Sequence, residues 1–147
     1  MKLLQFVALV LTALALVPGG AHLFAMPNKI NLSVSDYFIA QGLYRGWALL
    51  GIVLIGAILA NFALTILIRG ARAPFVFALV SLLCLLATLA IFFAYTFPAN
   101  QVTNNWADAP ANWQQLRWQW EISHAVNAAI TFIAFCSLTI SVLLSRD

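Results

Sequence analysis

Four apolar runs, each close to the length a helix needs to cross a lipid bilayer, restrict this chain more than any other feature. They cover residues 3–26, 47–68, 75–97 and 118–144, and about 20 residues of helix span the hydrocarbon layer. Backbone inside lipid must satisfy its own hydrogen bonds, so segments of this length and number predict helices rather than a barrel. Composition agrees. Of the 147 residues, 64% are hydrophobic and 7% charged, where soluble domains are about half apolar and a quarter charged. A soluble domain of this size could not hide so much apolar surface. The expected fold is an all-α bundle of four transmembrane helices, forming one integral membrane domain over residues 1–147.

The first run has two readings. Lys2, an apolar core and the small residues of PGGA resemble a secretory signal. The apolar character continues past PGGA through His22, Leu23 and Phe24, which favours an uncleaved first helix. Pro27 and Asn28 then read as a turn. Ser35 and Asp36 read as caps for a helix that starts near Tyr37 and runs into the second span. RGARAP makes a tight hairpin between spans two and three. PANQVTNNWADAPANWQQ makes a Trp-rich loop between spans three and four. Gly42, Gly46, Gly51 and Gly56 are candidates for close helix approach, and GLYRG matches GxxxG.

Basic residues set the expected orientation. Lys2, Arg69, Arg72 and Arg146 fall on one face; Lys29, Arg45 and Arg117 fall on the other, with Asp36, Asp108 and Glu121. The compact RGAR hairpin makes the first face cytoplasmic, so both termini are expected inside. Trp106, Trp113, Trp118 and Trp120 then line the outer interface as an aromatic belt. The seven basic residues are too dispersed for nucleic acid. Cys84 and Cys136 lie at different depths, which argues against a disulfide, and they read as small buried hydrophobes. Asn61, Thr65, Ser81 and Thr88 are single polar residues of the inner half, suited to bonds within or between helices.

The fourth run opens unusually. Residues three and four apart share a helix face. Trp113, Arg117, Trp120, Glu121, His124, Asn127 and Thr131 therefore fall in an arc of roughly 120°. Arg117 and Glu121 are placed to pair, as are Glu121 and His124. Trp118, Ile122, Ala125, Val126 and Ala129 form the opposite, lipid-suited side. A charge within a span costs several kcal/mol unless paired or hydrated, so the stripe faces the bundle interior. At ~1.5 Å per residue, His22 reaches the same outer level from the first helix. Tyr44, Arg45 and Tyr95 end up there too. Convergent polar groups in an apolar bundle make the default binding site. There is no Walker loop, GxGxxG or HExxH, and no nucleophile beside a base.

The stretch TNNWADAPANWQQLRWQWEISHAVNAAITFIAF resembles the anthrone-oxygenase-like family of small four-helix membrane proteins. Asn105-Trp106, Pro110, Trp113, Leu116-Arg117, Trp120-Glu121, His124 and Asn127 carry the likeness, concentrated in residues 104–127. The order of one span, a Pro-containing polar link and three more spans is similar along the whole chain. Some fungal relatives oxidise anthrones with molecular oxygen and no metal or organic cofactor. The chain is closer to the bacterial type, which implies an inner-membrane location without an assigned substrate. As an enzyme, the resemblance implies a cofactor-independent oxidoreductase acting on a lipophilic phenolic or quinone-like molecule. His124 would be its base, Glu121 would orient that base, and Arg117 or Arg45 would hold the developing oxyanion. His22, Arg45, Tyr95, Trp106, Trp113, Trp120 and Asn127 would contact the substrate. Two other readings stay open: haem b held between His22 and His124, and a non-catalytic part of a homo-oligomer or larger membrane complex.

Overall fold

The computed structural model describes residues 1–145. Arg146, assigned above to the face of Lys2, lies outside them. The described residues form helices α1 (Lys2–Lys29), α2 (Val34–Gln41), α3 (Gly51–Leu67), α4 (Arg72–Ile91), α5 (Phe97–Val102) and α6 (Trp113–Leu144). A 3₁₀ turn, Trp47–Leu50, leads into α3, and a π-helical turn, Phe92–Thr96, joins α4 to α5. The fold is all-helical, and four stretches are long and apolar enough to cross a membrane: Lys2–Lys29, Trp47–Leu67, Arg72–Val102 and Trp113–Leu144. Large apolar side chains point outward from them, with Phe24 81%, Ile52 73% and Leu143 78% exposed. Such a surface suits hydrocarbon rather than water.

The long helices alternate in direction around a ring. α1 packs on α3 and α6, and α4 packs on the same two. Alanines at the contacts, including Ala8, Ala57, Ala78 and Ala134, are fully buried and let the backbones come close. One polar node ties three helices together. The Asn61 amide donates to Thr12 Oγ1 at 3.1 Å and to the Ala57 carbonyl, and its oxygen accepts from Ser81 Oγ at 2.9 Å. Cys84 and Cys136 are unpaired thiols.

Several local expectations need correction. Pro27 does not turn the chain; α1 continues to Lys29, and Ile30 N–H still bonds the Met26 carbonyl at 2.9 Å. A proline forfeits only one helical bond and can be carried where the helix is about to end. α2 is capped by Ser33, whose Oγ accepts from Asp36 N–H at 3.3 Å, so neither Ser35 nor Asp36 is the cap. α2 also stops before the second span. Gly46, at φ 86°, takes the left-handed conformation open to glycine and redirects the chain into Trp47.

Gly42, Gly46 and Gly51 have no neighbour that a Cβ would meet, and Gly56 meets only Leu11 at ordinary contact. The glycine of close approach is Gly19, where a Cβ would sit 3.3 Å from both the nitrogen and the Cα of Ala128. That crossing lies one turn from His22 on α1 and one turn from His124 on α6.

Pro98 explains the π turn. It lacks the N–H that would bond the Ala94 carbonyl, and the wider turn just before it takes up the misfit. The adjacent Tyr95 carbonyl accepts from Gln119 Nε2 at 2.8 Å, which anchors this end of the third span to α6. Thr96 Oγ1 and Ser123 Oγ add a second link at 2.8 Å.

Candidate functional site

The Gly19–Ala128 crossing presses α1 onto α6 and brings the two histidines together. The imidazoles of His22 and His124 have centroids 4.2 Å apart and are tilted by 40°. His22 is buried, walled by Tyr44 at 4.1 Å, Trp120 at 4.6 Å and Trp47 at 5.8 Å. His124 is half-buried and stands edge-on to Trp120 at 4.2 Å, one helical turn earlier on its own helix.

A charged layer adjoins this pair. Lys29 Nζ lies 3.0 Å from Glu121 Oε1, a contact of charge rather than an aligned hydrogen bond. The same ammonium sits over the Tyr44 ring at 4.6 Å and the Trp120 ring at 5.2 Å. The Tyr37 hydroxyl donates to Glu121 Oε1 at 2.9 Å and accepts from Gln41 Nε2 at 2.8 Å. Glu121 is 1% and Tyr37 0% exposed, so carboxylate and phenol share a dry environment. Burial, followed by the nearby Glu121 charge, pushes the Tyr37 phenol far above its usual ionisation range. The same two causes act on the less enclosed Tyr44 in the same direction.

Arg117 does something other than neutralise Glu121. It donates to the Leu32 carbonyl at 2.9 Å and stacks over Trp113 at 4.7 Å and Tyr37 at 5.4 Å. It thereby fastens the strap between α1 and α2 onto α6. The expected Arg117–Glu121 pair is thus replaced by Lys29–Glu121. Glu121 likewise turns toward Tyr37 and Lys29, while His124 packs against the rings of His22 and Trp120.

Behind the layer is an aromatic wall. Trp106 packs at 5.2 Å from Tyr37, 5.7 Å from Phe38 and 5.7 Å from Trp120. Asn100 Oδ1 accepts both indole N–H groups, from Trp120 at 2.8 Å and Trp106 at 3.2 Å. Trp106 is held there by an uncommon backbone. Asn104, Asn105 and Trp106 all have positive φ, at 48°, 54° and 65°. A bulky residue in this region is a true outlier, and such strain concentrates at functional positions. The turn is secured by Thr103, whose hydroxyl accepts from Trp106 N–H and whose carbonyl accepts from Ala107 and Asp108.

The structure separates the expected site residues into two groups. His22, Arg117, Trp120, Glu121 and His124 gather with Trp106 and Trp113 in or against the layer, and Asn127 lies one turn further along α6. Arg45 and Tyr95 do not join them: both side chains are exposed, because the Gly46 turn and the π turn swing them outward. Trp106 and Trp120 are 7% and 5% exposed, so they belong to the interior rather than to an interfacial belt; Trp118, at 52%, faces out. Lys29, Tyr37, Gln41 and Asn100 escaped the sequence reading. One signal was available: His22 and Lys29 are seven residues apart, two helical turns on one face, but the expected turn at Pro27 concealed it.

Among the described residues, six buried polar atoms have no aligned hydrogen bond, Lys29 Nζ having only its ion pair: His22 Nδ1, Lys29 Nζ, Gln41 Oε1, Arg117 Nε, Glu121 Oε2 and Asn127 Oδ1. Buried polar groups are rarely left so, and all six come from the residues of this end of the bundle. Among the described residues, no three His, Cys, Asp or Glu side chains are grouped to share a metal ion. A haem between the two histidines does not fit this arrangement. Bis-imidazole ligation needs a macrocycle and two metal–nitrogen bonds between rings that here touch each other.

No family model, curated protein or solved structure matches this chain.

Proposed function

We propose that this is an integral protein of a bacterial inner membrane, with both termini cytoplasmic and the histidine pair in the outer leaflet. In this reading it removes a proton from a lipophilic phenolic or quinone-like substrate and lets the resulting anion react with oxygen, without an organic cofactor. The observation that carries the reading is the His22–His124 contact beside the Lys29–Glu121 pair, enclosed by aromatic rings. The likeness of residues 104–127 to the anthrone-oxygenase-like family supports the same reaction class.

His124, the less enclosed imidazole, takes the proton. The rings of His22 and Trp120 lie against it and fix its orientation. Lys29, fixed in a dry layer, stabilises negative charge developing on the substrate oxygen, a role expected earlier of Arg117 or Arg45. Glu121, itself bonded by the Tyr37 hydroxyl, holds Lys29 in place. With an anthrone the balance is simple. The methylene carbon loses two hydrogens and gains one oxygen atom, and the second atom of O₂ leaves with those hydrogens as water.

The test is oxygen consumption with an anthrone by protein in lipid nanodiscs, corrected for spontaneous oxidation. Exchanging His124→Gln should lower the rate at least about 100-fold, the smaller contribution typical of a positioned base, while the melting profile stays cooperative. Turnover that survives the exchange overturns the assignment.

A further inference from the structure

Three buried side chains among the described residues carry a formal charge by type: Lys29, Arg117 and Glu121, at 5%, 7% and 1% exposure. Two positive charges against one negative leave this layer one positive charge in excess. An uncompensated charge in a dry interior is expensive; Arg117 Nε has no acceptor, and the three donors of the Lys29 ammonium share a single carboxylate oxygen, that of Glu121 at 3.0 Å. The missing complement is one negative charge carried on an acceptor atom.

Neighbouring groups narrow its chemistry. Flat rings lie against Lys29: the ammonium sits over Tyr44 and Trp120, and His22 packs tilted against the first and edge-on to the second. Edges and faces of this kind select a flat conjugated molecule over an alkyl chain. Glu121 Oε2 and Asn127 Oδ1, acceptors without donors, suit a further hydroxyl on the same ring system.

We infer that this site binds its ligand as a lipophilic enolate or phenolate on a flat ring system, with Lys29 as its counter-ion. The inference rests on the acid–base reading of the same site but makes a separate claim: the anion is preferred in the ground state, before any reaction.

The two claims separate in a binding measurement that needs no turnover. Purified protein in nanodiscs at neutral pH is titrated with hydroxynaphthoquinone, which is anionic there, with unsubstituted naphthoquinone, which is neutral, and with decanoate. Wild type should bind the anionic quinone at least about tenfold more tightly than the neutral one, the usual size of a charged hydrogen bond. Decanoate should bind more weakly than the anionic quinone. Lys29→Met should abolish the preference. Glu121→Gln, which raises the excess charge, should tighten the anion. If Lys29→Met does not fold, the Lys29→Met/Glu121→Gln double variant removes the pair together and should likewise lose the preference.

His124→Gln should keep the preference even where it abolishes oxidation, so a failed oxygenase reading leaves this result standing. Equal affinity of wild type for the anionic and neutral quinones overturns the inference, as does decanoate binding as tightly as the anionic quinone, or a preference that persists without Lys29.

Discussion

Lys29, the last residue of α1, lies 3.0 Å from Glu121, which sits two turns into α6. The contact closes the first helix onto the last at the end that carries both histidines. The crossing at Gly19 and the Tyr37 bond on α2 lie at the same closure, and the Asn61 node joins α1, α3 and α4 nearer the middle of the bundle.

Gly19 sets how closely α1 and α6 approach. A Cβ there would meet Ala128 backbone at 3.3 Å, and backbone cannot rotate away. Gly19→Val should lower stability by about 1–3 kcal/mol, the cost of overpacking, and separate His22 from His124. Gly20→Ala is the control, since nothing lies within 4 Å of its Cβ; it should stabilise by up to about 1 kcal/mol through helix propensity. Thermal melts in nanodiscs decide this, and equal melting of Gly19→Val and wild type would count against the crossing.

Tyr37 makes an alkaline prediction. Its phenol keeps its proton in the fold well beyond the usual value near 10, whereas the unfolded chain releases that proton near 10. Above that pH the unfolded state binds fewer protons, so stability falls as pH rises, by up to about 1.4 kcal/mol per pH unit from this one group. Tyr37→Phe should be less stable at about pH 8, by roughly 1–3 kcal/mol, because Glu121 and Gln41 lose a partner. The gap to wild type should then narrow between about pH 10 and 11. Melting both proteins across that range checks it; a constant gap would contradict the buried, protonated phenol.

Asn61→Leu removes two interhelical hydrogen bonds and leaves Ser81 without its acceptor. Such bonds average about 0.6 kcal/mol within membranes, so a loss of about 1–2 kcal/mol is expected. Binding and turnover should stay at wild-type levels, because the node lies away from the histidines. A selective loss of turnover at unchanged melting temperature would give Asn61 a different role.

Much of this architecture is written in local patterns. Run lengths place four helices, and the 3.6-residue period puts Arg117, Glu121, His124 and Asn127 on one face of α6. Counting rise per residue puts His22 at the level of His124. Such inferences work because helical geometry is local and lipid forces it on any long apolar run. Arg45 and Tyr95 were misplaced because one left-handed glycine and one π turn rotate the chain, and neither has a periodic signature. Trp106 sits on a run of positive φ values that no propensity scale would assign to asparagine and tryptophan.

The partner of Glu121 belongs to the second kind of knowledge. Sequence spacing offered Arg117 and His124, both within one turn and both able to reach. The protein instead uses Lys29 and Tyr37, far away in the chain. By itself the sequence determined that a buried carboxylate near this helix end must find compensation, since an unpaired charge there costs several kcal/mol. Only the tertiary structure decided which groups provide it. The continuation of α1 past Pro27 and the close crossing at Gly19 carry an ammonium from another helix to the carboxylate, and Arg117 is left to hold the strap at Leu32.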